Sequence, residues 1–466
     1  MGRRKSWSEP LWIPISALTQ TTGHPFYSRL NQVLEKSKFD AYVEKLCAKF
    51  YATDVGRRGL APGIYFRSLL IGYFEGIDSE RGIAWRAADS LAIRSFLGVP
   101  LDEGTPDHTT ISRTRRLIDL ESHQQVFTWV LRVLAEKGLL KGKTVGIDGT
   151  TLEANAAMRS IVRRDTGESY QEFLVRLAKE SGIETPTREQ LAKLDRQRPK
   201  KGSNAEWQHP HDPDARITKM KDGRTHLAHK AEHAVDLDTG AVVSVTITPG
   251  DAGDTSTVTE TLAQAGENIA EVACEVNNEE VGEVVDSDGP ANVVADKGYH
   301  SNDVLVGLKE AGVRSYVSEP DRGRRCWENR ADAQDAVYGN RRRLRGEHGK
   351  ALLRRRGEYL ERSFAHVYDT GAMRRTHLRG NQNICKRVLI HIAGFNLGLV
   401  MRKLSKAGTP RGAGDRRSDL NALNGLLAQL YFWLKVIESV IGVTSTPHRN
   451  AYSLSSKCPQ LSTLRF

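Results

Sequence analysis

Two aspartates close short apolar runs far apart in the chain, Lys143-Thr-Val-Gly-Ile-Asp148-Gly-Thr and Asn292-Val-Val-Ala-Asp296-Lys-Gly-Tyr. Each run reads as a buried strand that delivers one carboxylate to its exposed end. Carboxylates gathered from distant strands suit a Mg²⁺ site for phosphate chemistry, because hard divalent ions take anionic oxygens held on a rigid frame. Two such ions would divide the work, one activating the attacking oxygen and one stabilising the leaving oxygen, and Mn²⁺ could substitute. Gly149 and Gly298 follow closely and leave room for a phosphate backbone, although a strand-end Asp before Gly is also ordinary turn chemistry. A third carboxylate is needed, and Glu153, Glu319, Glu347, Glu358 and Glu361 compete for the place. Glu358 and Glu361 lie one turn apart on a predicted helix at 351–368, among Arg354, Arg355, Arg356 and Arg362. A carboxylate among arginines makes a salt bridge, or holds a metal while its neighbours grip phosphates.

The charge distribution bears on which phosphates these are. The chain has 466 residues and a formal net charge of +11. Residues 321–410 hold 21 Lys and Arg against 8 Asp and Glu, more than the whole excess. One basic segment carrying the surplus is a polyanion footprint and points to nucleic acid; a solvated Arg-rich helical surface is the plainer reading. Residues 251–290 are the reverse, with 11 acidic residues and no Lys or Arg, which fits an acidic surface insertion kept off DNA, or a disordered loop. Five scattered cysteines without a C-x-x-C pair argue for a reducing compartment and against a zinc ribbon. No apolar run follows Met-Gly-Arg-Arg-Lys, and the apolar stretches at 388–401 and 431–443 are short or interrupted, so neither a secretory signal nor a membrane span is expected.

These residues need a frame. From about 26 to 140 the apolar spacing is helical, and Leu60-Ala-Pro62 starts one helix. Thr105-Pro106-Asp107 opens another, with a hydroxyl N-cap and proline at its first position. Thr110, Ser112, Arg113, Arg115 and Arg116 on that helix suit phosphate contact or groove insertion, or form an ordinary basic surface. Residues 152–225 are polar, with helices near Tyr170–Glu180 and after an N-cap at Thr187, then a basic linker from Arg196. His229–Asp236 and Ala241–Thr248 alternate across Asp238-Thr-Gly as a hairpin. His229 and His233 share a strand face there, and read as packing or DNA contacts rather than a transition-metal site. Lys219 and Lys230 lie near enough to touch phosphate, and Tyr299 could stack on a base or pack against the sheet. A helix at about 255–265, a strand at 293–295, a helix at 304–311, a strand at 313–317 and helices at 351–368 and 381–404 follow. One further helix, about Leu420–Ile441, precedes a Ser/Pro-rich tail. The order gives an α/β fold, a mixed sheet flanked by helices.

The chain resembles bacterial insertion-sequence transposases with a DDE catalytic domain of the ribonuclease-H type. The likeness rests on Gly63-Ile-Tyr-Phe-Arg-Ser-Leu-Leu-Ile-Gly-Tyr-Phe-Glu-Gly-Ile-Asp-Ser-Glu-Arg-Gly-Ile-Ala-Trp85 and Thr105-Pro-Asp-His-Thr-Thr-Ile-Ser-Arg-Thr-Arg115, which look like that family's helical N-terminal domain. Ile147-Asp-Gly-Thr-Thr-Leu-Glu-Ala-Asn-Ala-Ala, Ala295-Asp-Lys-Gly-Tyr-His-Ser, and Glu361-Arg-Ser-Phe-Ala-His through Met373-Arg-Arg-Thr-His-Leu-Arg-Gly look like its three catalytic blocks. The resemblance assigns Asp148, Asp296 and Glu361 as catalytic, metal-binding triad, with Glu358 the alternative to Glu361. Related enzymes often carry Tyr, Arg, Glu and Lys at fixed spacing on this helix; here Gly357 and Tyr368 stand where the Arg and Lys would be. Arg354, Arg362, Arg374 and Arg375 are then the expected phosphate contacts, with Arg379, Lys297, Lys230, Tyr299, Arg113, Arg115 and Arg116 beside them. The implied organisation is a helical DNA-binding domain at 1–140, a ribonuclease-H-like catalytic domain at 141–408 and a C-terminal helix and tail at 409–466. Insertions fall at about 152–225, 266–290 and 321–350. The implied activity is Mg²⁺-dependent cleavage at the element's inverted repeats and joining of the 3′ ends to target DNA. Its partners would be double-stranded DNA and further copies of the chain in a dimer or higher synaptic assembly, with no membrane and no small-molecule substrate. Its place would be the bacterial cytoplasm, at the nucleoid. A stand-alone nuclease and a DNA-binding regulator derived from a transposase are the rivals.

Overall fold

The computed structural model describes residues 24–52, 59–198, 202–220, 223–276, 285–321, 323 and 325–412. The expected helix at 420–441 and the tail lie outside them. The chain opens with helices α1 (Pro25–Lys36), α2 (Phe39–Cys47), α3 (Pro62–Glu75), α4 (Glu80–Asp89), α5 (Leu91–Leu97), α6 (His108–Leu117) and α7 (Leu120–Glu136). Pro62 begins α3 as expected, but the cap of α6 is one residue pair later than the sequence suggests. Asp107 takes the N-cap, its Oδ1 accepting from Thr109 N at 2.6 Å and Thr110 N at 2.9 Å. A carboxylate satisfies two orphan amides where the Thr105 hydroxyl could satisfy one.

Strands β1 (Thr144–Glu153), β2 (Val162–Arg163), β3 (Trp207–Gln208), β4 (Arg216–Lys219), β5 (Thr225–Asp236), β6 (Val242–Pro249), β7 (Asn292–Ala295) and β8 (Arg314–Val317) follow. They alternate with α8 (Tyr170–Glu180), α9 (Arg188–Gln197), α10 (Asp254–Val276), α11 (Asn302–Glu310), α12 (Ala331–Arg345), α13 (Glu347–Phe364) and α14 (Asn381–Ser405). The main sheet runs β4-β5-β1-β7-β8, with β6 also on β5. β1 is antiparallel to β5 and parallel to β7, and β7 is parallel to β8. This is the expected mixed sheet, with α10 packed against β5 and β6 and α13 against β1, β7 and β8.

Three segments differ from expectation. β1 does not end at Asp148; β5 pairs with it through Glu153, while β7 lets go after Gly146↔Val294. Asp148 therefore stands in mid-strand, just beyond the point where two parallel strands part. The helix expected at 255–265 continues to Val276, because Ala265, Ile269, Val272 and Ala273 carry the buried stripe past Gly266. Much of the acidic segment is thus core helix, with Glu267, Glu271 and Glu275 turned to solvent. The Arg-rich segment after 321 contains α12, whose Asn340 side chain bonds both Val317 N and Val317 O of the edge strand.

The polar stretch after β1 forms a small lobe with its own core of Ile161, Phe173, Leu174, Leu191 and Trp207. Both of its helices begin with a capping box, at Ser169 and Thr187. α14 joins the N-terminal helices to the sheet. It is long and apolar enough to cross a membrane, yet it is mostly buried inside the fold. Its Lys386 Nζ donates to Arg115 O at 3.1 Å and Ile118 O at 2.8 Å, closing the end of α6. Arg387 Nη2 donates to Ile77 O at 3.0 Å, just past α3. Burial pulls the Arg387 pKa down to about 10, and the guanidinium remains charged at neutral pH. Two cations are thereby placed where helix carbonyls concentrate negative potential.

Candidate active site

The β1–β5 register sets Asp148 opposite His233, so both side chains leave the sheet on the side covered by α13. Asp296 follows β7, in alternation with Val294, whose side chain packs with Leu352 of α13 on that same side. The two carboxylates meet at one residue, Arg356. Its Nη2 lies 2.9 Å from Asp148 Oδ2 and 4.0 Å from Asp296 Oδ2. The sum of those distances is an upper limit on the separation of the two oxygens. Arg356 Nε donates to Ile147 O at 3.0 Å, which anchors the guanidinium to β1. Nη2 has no aligned hydrogen-bond acceptor despite its short approach to Asp148, so that contact is ionic in character. The other carboxylate oxygens bind locally: Asp148 Oδ1 accepts from Gly149 N and Asp296 Oδ1 from Gly298 N, each at 2.8 Å.

Behind the two glycines, on the α10 face, lies a buried charged network. Glu232 accepts from Thr257 at 2.7 Å, Thr261 at 2.6 Å and Tyr299 at 2.8 Å. Lys230 Nζ sits 3.2 Å from Glu232 and 2.7 Å from Asp254. Burial, reinforced by the Glu232 charge, pushes the Tyr299 hydroxyl far above the usual phenol range. A Cβ on Gly149 would lie 2.8 Å from Lys230 Cε, and one on Gly298 would strike Asp254 Oδ2. On the α13 face, His233 takes Ser363 Oγ at 3.1 Å and Tyr368 Oη at 2.6 Å. Burial alone pulls its pKa down to about 3, so it is a neutral packing residue. His229 is also buried, held by Asn381 Oδ1 at 2.7 Å and Asp212 Oδ2 at 3.3 Å.

The remaining expected residues divide by burial. Glu358 and Glu361 are exposed, and Glu358 pairs with Arg362 at 2.6 Å. Arg356 and Glu361 are five residues apart, about 140° around the helix, and only the Arg356 side meets the sheet. Among the described residues no three Asp, Glu, His or Cys are grouped as a metal site. Arg113, Arg116, Lys297, Arg354, Arg375 and Arg379 are exposed. Arg374 Nη1 reaches Thr150 Oγ1 at 2.9 Å, two residues along β1 from Asp148. Arg115 is placed differently from expectation: it is buried and bonded to Glu80, Asn383 and Ser112, so it ties α6 to α4 and α14. Lys230 and Tyr299 are likewise committed to the internal network.

Sequence reasoning missed Arg356, Asp254 and Glu232. Arg356 was one arginine in a run of three; its phase with Leu352, Leu360 and Ser363, all buried, distinguishes it. Glu232 was hidden in a strand with polar residues on both faces, which signals that both faces are covered and internally paired.

The donor chemistry fits a divalent cation at one locus, since two carboxylates from adjacent strands already enclose a positive group. It does not yet hold a third carboxylate.

Residues 173–397 match the family described as Transposase DDE domain, and residues 15–117 match the Transposase domain (DUF772). A helical region followed by a mixed sheet flanked by helices is consistent with the ribonuclease-H-like fold of such a DDE domain. The two matches together identify an insertion-sequence transposase, as the sequence blocks led us to expect. DDE transposase domains act on DNA and are generally dependent on divalent metal.

Proposed function

We propose that this transposase binds the terminal inverted repeats of its element, cleaves DNA at the ends and joins the 3′ ends to target DNA. The observation that supports this most directly is the convergence of Asp148 and Asp296 on one guanidinium at the parting of β1 and β7. A carboxylate pair exposed where two central parallel strands separate lines a crevice that a ligand can enter at their carboxyl ends. Asp148 and Asp296 would hold Mg²⁺, with Glu361 as third ligand and Glu358 as its alternative. Bound divalent ions supply an activated attacking oxygen and a stabilised leaving oxygen. The chain's own residues do the positioning. Gly149 and Gly298 make room for the Lys230 and Asp254 side chains behind the two aspartates. Arg374, fixed to Thr150, and exposed Lys297, Arg375 and Arg379 would bind backbone phosphates on either side of the scissile bond. Arg113 and Arg116 on α6 would contribute from a helical DNA-binding domain over residues 1–140. Joining two ends calls for at least a dimer.

The test uses a duplex bearing one element end, a target duplex and Mg²⁺. Wild-type protein should release the 3′ end and join it to the target, while Asp148→Asn and Asp296→Asn should bind the end duplex and do neither. Cleavage without joining would replace this function by that of a nuclease, and binding without cleavage by wild type would leave a regulator.

A further inference from the structure

We propose that Arg356 is a built-in counter-cation of the Asp148–Asp296 pair, which must withdraw from between the two carboxylates before metal binds there. This deepens the active-site assignment above and rests on it. Two like charges set side by side on neighbouring strands repel, and a cation between them relieves that repulsion. The fold answers with a guanidinium. Arg356 is only 11% exposed in its side chain, is tethered through Nε to Ile147 O, and has its Nη2 in the reach of both carboxylates. Nη2 approaches one oxygen of each aspartate, Asp148 at 2.9 Å and Asp296 at 4.0 Å, so this electrostatic latch forms no bidentate fork with either. A tight bidentate fork would be harder to release. Gly146 presents no side chain against Arg356 Cγ, which a Cβ there would approach to 3.2 Å, so the stem lies along bare strand. Arg354 and Arg355 neighbour it on α13, with Arg355 drawn toward Asp238 at 3.4 Å. Once displaced, Arg356 would stand beside the aspartates with its charge free for a DNA phosphate. The latch thus couples occupancy of the site to DNA contact: the arginine neutralises carboxylates when the site is empty and phosphate when it is loaded.

The sign of the expected effect separates this role from a structural one. Loss of a packing arginine would weaken metal binding, whereas loss of a competing cation must strengthen it. The experiment titrates the full chain with Mn²⁺ alone, without DNA, following bound Mn²⁺ by electron paramagnetic resonance. Arg356→Gln should bind at least about fivefold more tightly than wild type, and Arg356→Lys should fall between them. In an Asp148→Asn background the gain should vanish. Equal or weaker binding by Arg356→Gln, with binding still lost in Asp148→Asn, overturns the latch and leaves the active-site assignment standing. Undiminished binding by Asp148→Asn overturns the assignment and the latch together. If Arg356→Gln does not fold, structures of the wild type with and without Mn²⁺ decide: Arg356 Nη2 should leave both carboxylates in the loaded state, and an unmoved Nη2 refutes the latch.

Discussion

Each site aspartate is followed closely by a glycine whose missing side chain is already replaced by a neighbour's. Gly298 is the more telling, because a Cβ there would collide with Asp254 Oδ2 and approach Asp296 Oδ1 to 3.1 Å. Gly298→Ala should therefore shift the second aspartate and lower cleavage by about tenfold or more while DNA binding holds, since small misplacements of reacting groups are costly. Wild-type cleavage by this variant would show that the crowding is relieved elsewhere. The third carboxylate is decided by two parallel substitutions. Glu361→Gln is expected to abolish cleavage, whereas Glu358→Gln, whose carboxylate is already engaged by Arg362, should retain it; the reverse result transfers the role. Asp254→Asn is the control for the network behind Asp296. The two aspartates were legible because an apolar run ending in Asp is a local pattern. Arg356 and Asp254 were not, since what marks them is a partner on another element: Asp148 and Asp296 for Arg356, Lys230 for Asp254.

At the scale of elements, α14 does the joining. Its apolar length was plain in the sequence, but the purpose of Lys386 and Arg387 depends on where the ends of α6 and α3 fall. Arg387→Met would leave Ile77 O without its donor, and should destabilise the protein by about 2 kcal/mol in denaturant unfolding. An unchanged midpoint would mean that the carbonyl finds another partner. Two buried histidines make helix and strand contacts sensitive to acid: His123 of α7, 2.9 Å from Tyr65 of α3, and His233 of β5. Burial lowers both from 6.5 to about 3. Between those values the unfolded chain takes up protons that the native chain refuses, so their stabilisation is complete above pH 6.5 and declines as pH falls. The melting temperature should therefore drop from pH 7.5 to pH 5, less so in a His233→Gln protein. The length of α10 was misjudged for a related reason: Gly266 breaks the local pattern, and only its packing against α7 and the sheet carries the helix onward.

For the molecule as a whole, the basic surplus was readable as composition, but the surface it makes was not. Arg115, Lys386 and Arg387 spend their charge inside the fold, while Arg374, Arg375 and Arg379 line the return from α13 toward β1. Binding to a duplex should weaken linearly in log–log with salt, and replacing these last three by Ser should reduce the slope by about 2 to 3. Fluorescence anisotropy at several salt concentrations measures it, and an unaltered slope would place the phosphates elsewhere. One further feature lies on that same return: the π-helical turn at Ala365–Thr370, which brings Tyr368 onto His233. Such a turn holds one residue of slack. Were it to travel upstream past 361, every residue in between would inherit its predecessor's bearing, and Glu361 would point where Leu360 points now, inward. A wide turn still at 365–370 in a metal- and DNA-loaded structure would rule that journey out. The helix that now offers an arginine to the two aspartates could, by a single-step ripple along its spine, offer them an acid instead.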